Sequence, residues 1–109
     1  LVAFIPVRFQ PDAFETTDHV LNAYKADYYS ANTKYKDWGY PTPNELWGKV
    51  VKSKSEAVNV IKREAHASQG SDDPLWILAW GSICTTKDAL LSDPSIESKI
   101  RMLSIATFV

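Results

Sequence analysis

Asp72-Asp73-Pro74-Leu75-Trp76-Ile77-Leu78-Ala79-Trp80-Gly81-Ser82 decides the fold. Its apolar run, Leu75 to Trp80, is long enough for one strand and too short for a good helix. Two acids and a proline start it, and a glycine stops it. An unbroken apolar run predicts a strand buried on both faces, as in a parallel sheet. Such a strand delivers its C-terminal end, Trp80-Gly81-Ser82, to a site.

Working outward, Ser68-Gln69-Gly70-Ser71-Asp72-Asp73 is a helix terminator and loop. Before it, Ser53-Lys54-Ser55-Glu56 is a capping-box pattern, opening a helix with Ala57, Val58, Ile61 and Ala65 on its buried stripe. Thr42-Pro43-Asn44-Glu45 is another, with proline at the first helical position, leading a short helix through Leu46, Trp47 and Val50. Tyr35 to Pro43 is a loop around Gly39. Further upstream, Thr17 or Asp18 caps a helix running to about Asn32 or Thr33. It places Val20, Leu21, Tyr24 and Tyr28 on one face. Val7 to Phe14 reads as irregular, with Pro11 and Asp12 as turn residues, and Leu1 to Ile5 as a short buried strand. Downstream, Thr85 or Thr86 caps a helix containing Ala89, Leu90 and Leu91. Asp93-Pro94 caps a further turn through Ile96, and Ile100 to Ile105 is a strand.

Strands separated by helices point to parallel βαβ units. The expected fold is α/β: one domain over residues 1–109, three-layered, with a small, mostly parallel sheet of about three strands flanked by helices. Ligands of such a sheet sit beyond the carboxyl ends of its strands. Those ends are Pro6-Val7-Arg8, Gly81-Ser82-Ile83-Cys84-Thr85 and Ala106-Thr107. So small a sheet leaves open edges. The chain is therefore expected to pair with another copy or to belong to a longer polypeptide.

Composition narrows the classes. With 12 Lys+Arg against 13 Asp+Glu, no charge excess predicts nucleic acid or an acidic membrane as partner. No apolar run approaches a membrane span, and no signal-peptide pattern is visible. The chain opens on Leu1 without a methionine, as a trimmed or mature protein does, which leaves a cytoplasmic or a secreted origin open. One cysteine, Cys84, permits neither an intrachain disulfide nor a cysteine metal cluster.

Several residues have chemical potential. Gly81-Ser82 before a helix offers backbone N–H groups to an anion or a sugar hydroxyl. Trp38, Tyr40 and Trp47 either stack on a sugar face or lock the Gly39 loop onto the helices. Cys84 near a helix start is a nucleophile only with a base, and no histidine is near it in sequence. Asp72-Asp73 precedes the strand, opposite the expected site, and reads as a solvated turn. His19 and His66 have no partner at a metal-ligand spacing, and Lys62-Arg63-Glu64 reads as a solvated helix face.

Gly39-Tyr40-Pro41-Thr42-Pro43-Asn44-Glu45-Leu46, followed by Asp72 to Gly81, resembles the nucleoside hydrolase-like family, in its branch labelled cellulose-binding or of unknown function. There a Y-P-T-P-x-x-L segment precedes a D-D-P-x-P-L-W-V-x-V-W-G-G strand. Val20 to Tyr28 is similar to that family's I-x-A-Y helix. Asp93-Pro94-Ser95-Ile96 with Lys99 to Ile105 is similar to the approach to its next central strand. The resemblance covers the family's middle portion and implies a partial Rossmann-like nucleoside hydrolase core.

The wider superfamily cleaves the N-glycosidic bond of ribonucleosides using calcium on an aspartate cluster. The resemblance implies a nucleoside ligand near Trp80, Gly81, Ser82 and Thr85, and a calcium ligand in the Trp80 backbone carbonyl. Two departures stand against activity. No D-x-D run occurs in the 109 residues, so calcium's aspartate ligands are absent from them. The family's G-G-A-N-T reads Gly81-Ser82-Ile83-Cys84-Thr85, with Cys84 in place of asparagine. No catalytic residue is assigned. The expected function is a nucleoside hydrolase-like fragment, inactive alone and prone to oligomerise. The alternatives are a carbohydrate-binding or protein-interaction module, and an N-glycosidase if a longer chain supplies the aspartates.

Overall fold

The computed structural model describes residues 2–6, 8–70 and 72–105. Two compact units divide the chain, Leu1–Lys52 and Ser53–Val109.

The first unit contains α1 (Pro11–Tyr28) and α2 (Pro43–Trp47). Helix α1 begins six to seven residues before the expected Thr17 or Asp18. Pro11 acts as the first helical residue, after an extended Gln10, instead of making a turn. Its fixed φ suits that position, and its missing N–H would have no partner there. Thr16 and Thr17 cap nothing. Their hydroxyls donate back to the carbonyls of Asp12 and Ala13, both at 2.9 Å, so the helix runs through them. The C-terminal end is also earlier than expected: Ser30 N–H bonds the Asp27 carbonyl, which also accepts from the Thr33 hydroxyl.

Helix α2 keeps the expected capping box. Thr42 Oγ1 accepts from Glu45 N–H at 3.2 Å, and Glu45 Oε2 accepts from Thr42 N–H at 3.1 Å. It stops at Trp47, and Val50 lies outside it. Val50 forms a single parallel bridge with Phe4. Phe4 N–H bonds Lys49 O, and Val51 N–H bonds Phe4 O, both at 2.8 Å. The expected strand at residues 1–5 is thus one bridge at Phe4 among the described residues, and Leu1 lies outside them. Pro6 removes a backbone donor at once, so the pairing cannot extend in that direction. Leu21, Leu46 and Val50 form this unit's core, with Phe14, Tyr24 and Trp47 packed against it. Val20, expected inside, is exposed.

The second unit runs α3 (Lys54–Ala67), β1 (Leu75–Ala79), α4 (Cys84–Ser92), a 3-10 helix (Pro94–Lys99) and β2 (Ile100–Ser104). Ser53 caps α3 by accepting Glu56 N–H at 3.2 Å, and Ala57, Ile61 and Ala65 are buried as expected. Helix α4 starts at Cys84, ahead of the expected caps Thr85 and Thr86, with Ile83 as its cap residue. Gly81 turns the chain after β1 at φ 144°, a region that favours glycine. Asp93 caps the 3-10 helix through Ser95 N–H at 3.2 Å. Strands β1 and β2 are parallel, in register from Leu75 opposite Ile100 to Ala79 opposite Ser104.

The fold is α/β, and among the described residues its sheet holds two strands where about three were expected. Nor is β1 buried on both faces. Leu75, Ile77 and Ala79 are half-buried, whereas Trp76 and Leu78 are 61% and 60% exposed. Alternate residues of a strand face opposite sides, so the pattern separates the two faces. Met102, on the Ile77 side, lies beside Ile83, Thr86 and Leu90 of the α4 region. Among the described residues, the Trp76 and Leu78 side has no such cover. The expected end of this strand at Ala106-Thr107 lies outside the described residues.

Ile96 of the 3-10 helix has no exposed surface. Ile96→Ala is expected to lower stability by about 3 kcal/mol and Ile96→Val by about 1 kcal/mol. Urea denaturation of both variants checks this ordering.

Candidate functional site

The sequence-selected residues fall in two groups, one in each unit. In the first unit, helix α1 and the loop after it build an aromatic cluster. Tyr24 stacks on Tyr35 at 6.1 Å between ring centroids, and Tyr35 stacks on Tyr40 at 5.3 Å with the rings 4° from parallel. Trp38 meets both Tyr35 and Tyr40, at 6.3 and 6.0 Å. Tyr28 extends the cluster along α1, four residues after Tyr24 and therefore on the same helix face.

The loop's backbone makes this possible. Trp38 N–H bonds Lys34 O, and Tyr40 N–H bonds Tyr35 O, closing tight turns around Gly39 at φ 75°. No heavy atom lies within 4 Å of a Cβ built at Gly39, so the constraint there is conformational and not steric. Tyr24 Oη donates to Pro41 O at 2.7 Å and pins the far side of the loop. Burial first, and then Tyr28, Tyr35, Tyr40 and Glu45 nearby, raise the Tyr24 hydroxyl above its ordinary pKa.

The inner tyrosines lock the loop, while Trp38 and Tyr40 remain 62% and 47% exposed. Trp47 is not part of the cluster. It packs against the core of Leu21, Leu46 and Val50, and its Nε1–H donates to Asp18 Oδ1 at 3.0 Å.

In the second unit, Trp80 ends the apolar run with its side chain 61% exposed. Gly81 and Ser82 make the turn into α4, and Ser82 Oγ accepts from Cys84 N–H at 3.2 Å. That bond uses one of the N–H groups expected to face a ligand. Cys84 is exposed and Thr85 is half-buried. Among the described residues, no three His, Cys, Asp or Glu side chains gather where they could hold a metal ion. Calcium takes six to eight oxygen ligands.

Sequence reasoning missed a polar chain in the same unit. His66 Nε2 lies 2.6 Å from Asp93 Oδ2, and Lys99 Nζ lies 3.2 Å from His66 Nδ1. Asp93 Oδ1 accepts from the Ser95 hydroxyl at 2.5 Å. Partners 27 and 33 residues apart left no local signal beyond the Asp93 capping pattern. Ser95 meets Asp93 and not His66, so the order is not that of a nucleophile activated by a base. The chain ties the end of α3 to the start of the 3-10 helix. At the other end of α3, Lys54 Nζ pairs with Asp88 Oδ2 at 2.5 Å, joining the start of α3 to α4. That hydrogen bond holds Asp88 below and Lys54 above their ordinary pKa values.

Comparison with family models, with curated proteins and with solved structures gave no match for this chain.

The hydrogen bonds from Ser95, then from His66, lower the Asp93 carboxyl from 3.8 to about 2. A carboxyl with a depressed folded-state pKa stabilises the fold above its unfolded value, and this contribution disappears as pH falls through the folded value. Asp93→Asn is therefore expected to melt below the parent protein at pH 7. The gap should narrow between about pH 4 and pH 2. Thermal melts of both proteins across that range measure it.

Proposed function

We propose that this chain is a nucleoside hydrolase-like α/β module that acts by association and not by catalysis, and that its sheet face is the associating surface. The observation that carries the association is the uncovered side of the sheet. Register and alternation put Trp76, Leu78, Trp80, Leu103 and Ile105 on that side, each 55% to 61% exposed. Ile105 N–H still bonds Ala79 O at 3.0 Å, which keeps the end of the patch in line with the ladder.

These five side chains expose on the order of 600 Å². That is at the upper end of the largest apolar patch on a typical monomer, about 300–600 Å², and such patches are often functional. It approaches the roughly 800 Å² per partner of a standard interface. Arg101 is the charged residue on this side, and its guanidinium folds back to the carbonyls of Ile100 at 2.7 Å and Ser98 at 3.4 Å. A face with its one charge satisfied at the margin favours another apolar surface as partner. A second copy supplies that surface by two-fold symmetry.

The family part of the proposal rests on the residue pattern of Gly39 to Leu46 and Asp72 to Gly81. A parallel strand pair joined through helices is the arrangement that such a partial Rossmann-like core requires. The absence of a D-x-D run from the 109 residues supports the non-catalytic half. A longer chain supplying those aspartates would make the same strand end the rim of an N-glycosidase site. A second reading, carbohydrate binding, is favoured by the exposed rings of Trp38 and Tyr40 beside the loop that Tyr35 holds.

Light scattering of the 109-residue chain at tens of micromolar is expected to give a dimer or larger. Leu78→Lys with Leu103→Glu should return it to the monomer without lowering its melting temperature by more than a few degrees. A monomeric parent protein would refute association through this face. Ribose release from nucleosides with added calcium would refute the non-catalytic half. For the second reading, glycan quenching of tryptophan fluorescence that is lost in Trp38→Ala is the outcome required.

A further inference from the structure

His66 stands in the last turn of α3, between two partners from the 3-10 helix region. Asp93 Oδ2 lies 2.6 Å from its Nε2, and Lys99 Nζ lies 3.2 Å from its Nδ1. We propose that His66 is a proton-operated latch. Neutral, it holds Lys99 at Nδ1; on taking a proton there, it releases Lys99 and keeps Asp93.

The partners assign the ring hydrogen. A lysine ammonium only donates, and an ionised carboxylate only accepts. Hydrogen bonds from Ser95 and His66 keep the Asp93 carboxyl low, at about 2, so it is ionised at neutral pH. Nδ1 therefore accepts from Lys99, and Nε2–H donates to Asp93. The opposite tautomer would break both bonds at once.

Nε2 already carries its hydrogen, so a further proton enters at Nδ1. That turns the acceptor into a donor and sets two cations 3.2 Å apart, and the bond to Lys99 cannot persist. The bond to Asp93 strengthens, because both of its groups are then charged. Three influences thus act on the ring. Asp93 and the carbonyl end of α3 favour the added charge, and Lys99 opposes it. Lys62, one turn earlier on α3, donates instead to the Ser92 hydroxyl at 3.0 Å. The ring is exposed, so solvent protons reach it.

The effect follows from where the two partners stand. Asp93 caps the start of the 3-10 helix by accepting from Ser95 N–H at 3.2 Å. Lys99 ends that helix, directly before Ile100 of β2. Releasing Lys99 alone frees the end that leads into the sheet and leaves the start fastened. The Ser68 hydroxyl, next after α3, still reaches the Lys99 carbonyl, but at 3.5 Å that contact is weak.

NMR of the full 109-residue chain, labelled with nitrogen-15 and carbon-13, tests this between about pH 8 and pH 5, where histidine changes charge. At the upper end His66 is expected as the Nε2–H tautomer. As the pH falls, the side-chain signals of Lys99 should move in one step that follows the titration of the His66 ring. His66→Gln should erase that step while His19 still titrates, and His19→Gln should leave it in place. The proposal falls if His66 carries its hydrogen on Nδ1, or if the Lys99 signals stay still while His66 titrates. It falls equally if the step survives in His66→Gln. The first two of these results need only the parent chain, so they stand even if a variant fails to fold.

Discussion

The second unit depends on one constraint, the parallel pairing of Leu75–Ala79 with Ile100–Ser104. Parallel neighbours cannot be joined by a tight turn, because the chain must return to the starting end of the first strand. Here α4 and the 3-10 helix make that return. The crossover has to be packed to hold the register, and its inward residues Ala89 and Ile96 are fully buried. Polar ties then fasten it to α3 at both ends, Lys54 to Asp88 at the start and His66 to Asp93 at the finish. Exposed ion pairs contribute little energy individually. Their value here is positional, since they locate the crossover against α3.

The same constraint creates the surface on which the functional proposal rests. A two-stranded sheet with its helical return on one side leaves the other side bare. The run Leu75 to Trp80 is apolar at every position, so that side is apolar as well. In the first unit a different device operates. Tyr24, Tyr35 and Tyr40 stack through a loop that Gly39 allows to turn, and the outer rings are left facing solvent. Rigid aromatic side chains lose little entropy on contact, which makes an ordered ring pair a useful recognition surface.

Much of the local structure was legible. The Thr42 and Ser53 caps, the buried stripe of α3 and the two strands at Leu75 and Ile100 follow from spacing and capping chemistry, because their causes lie within a few residues. The start of α1 was not. Pro11 is equally suited to a turn or to the first position of a helix, and only the chain on either side selects between them. Leu1 to Ile5 carries a strand pattern, yet among the described residues Phe4 alone of that stretch finds a strand partner, because pairing depends on which backbone lies alongside. Of the candidate site, Trp38 and Tyr40 lie together in the aromatic cluster, while Trp47 packs against the core and bonds Asp18.

The sequence by itself determined the α/β class, the apolar strand at Leu75, the helix caps and the lack of a D-x-D run in these residues. Each is set by side-chain chemistry over short distances. Only the tertiary structure decided that the strand is covered on one face and bare on the other. It also decided that His66 meets Asp93, and that Thr86 is buried. An unbroken apolar run looks the same in sequence whether one side or both is covered. Cover is supplied by other parts of the fold, and no residue within the run records whether they are there.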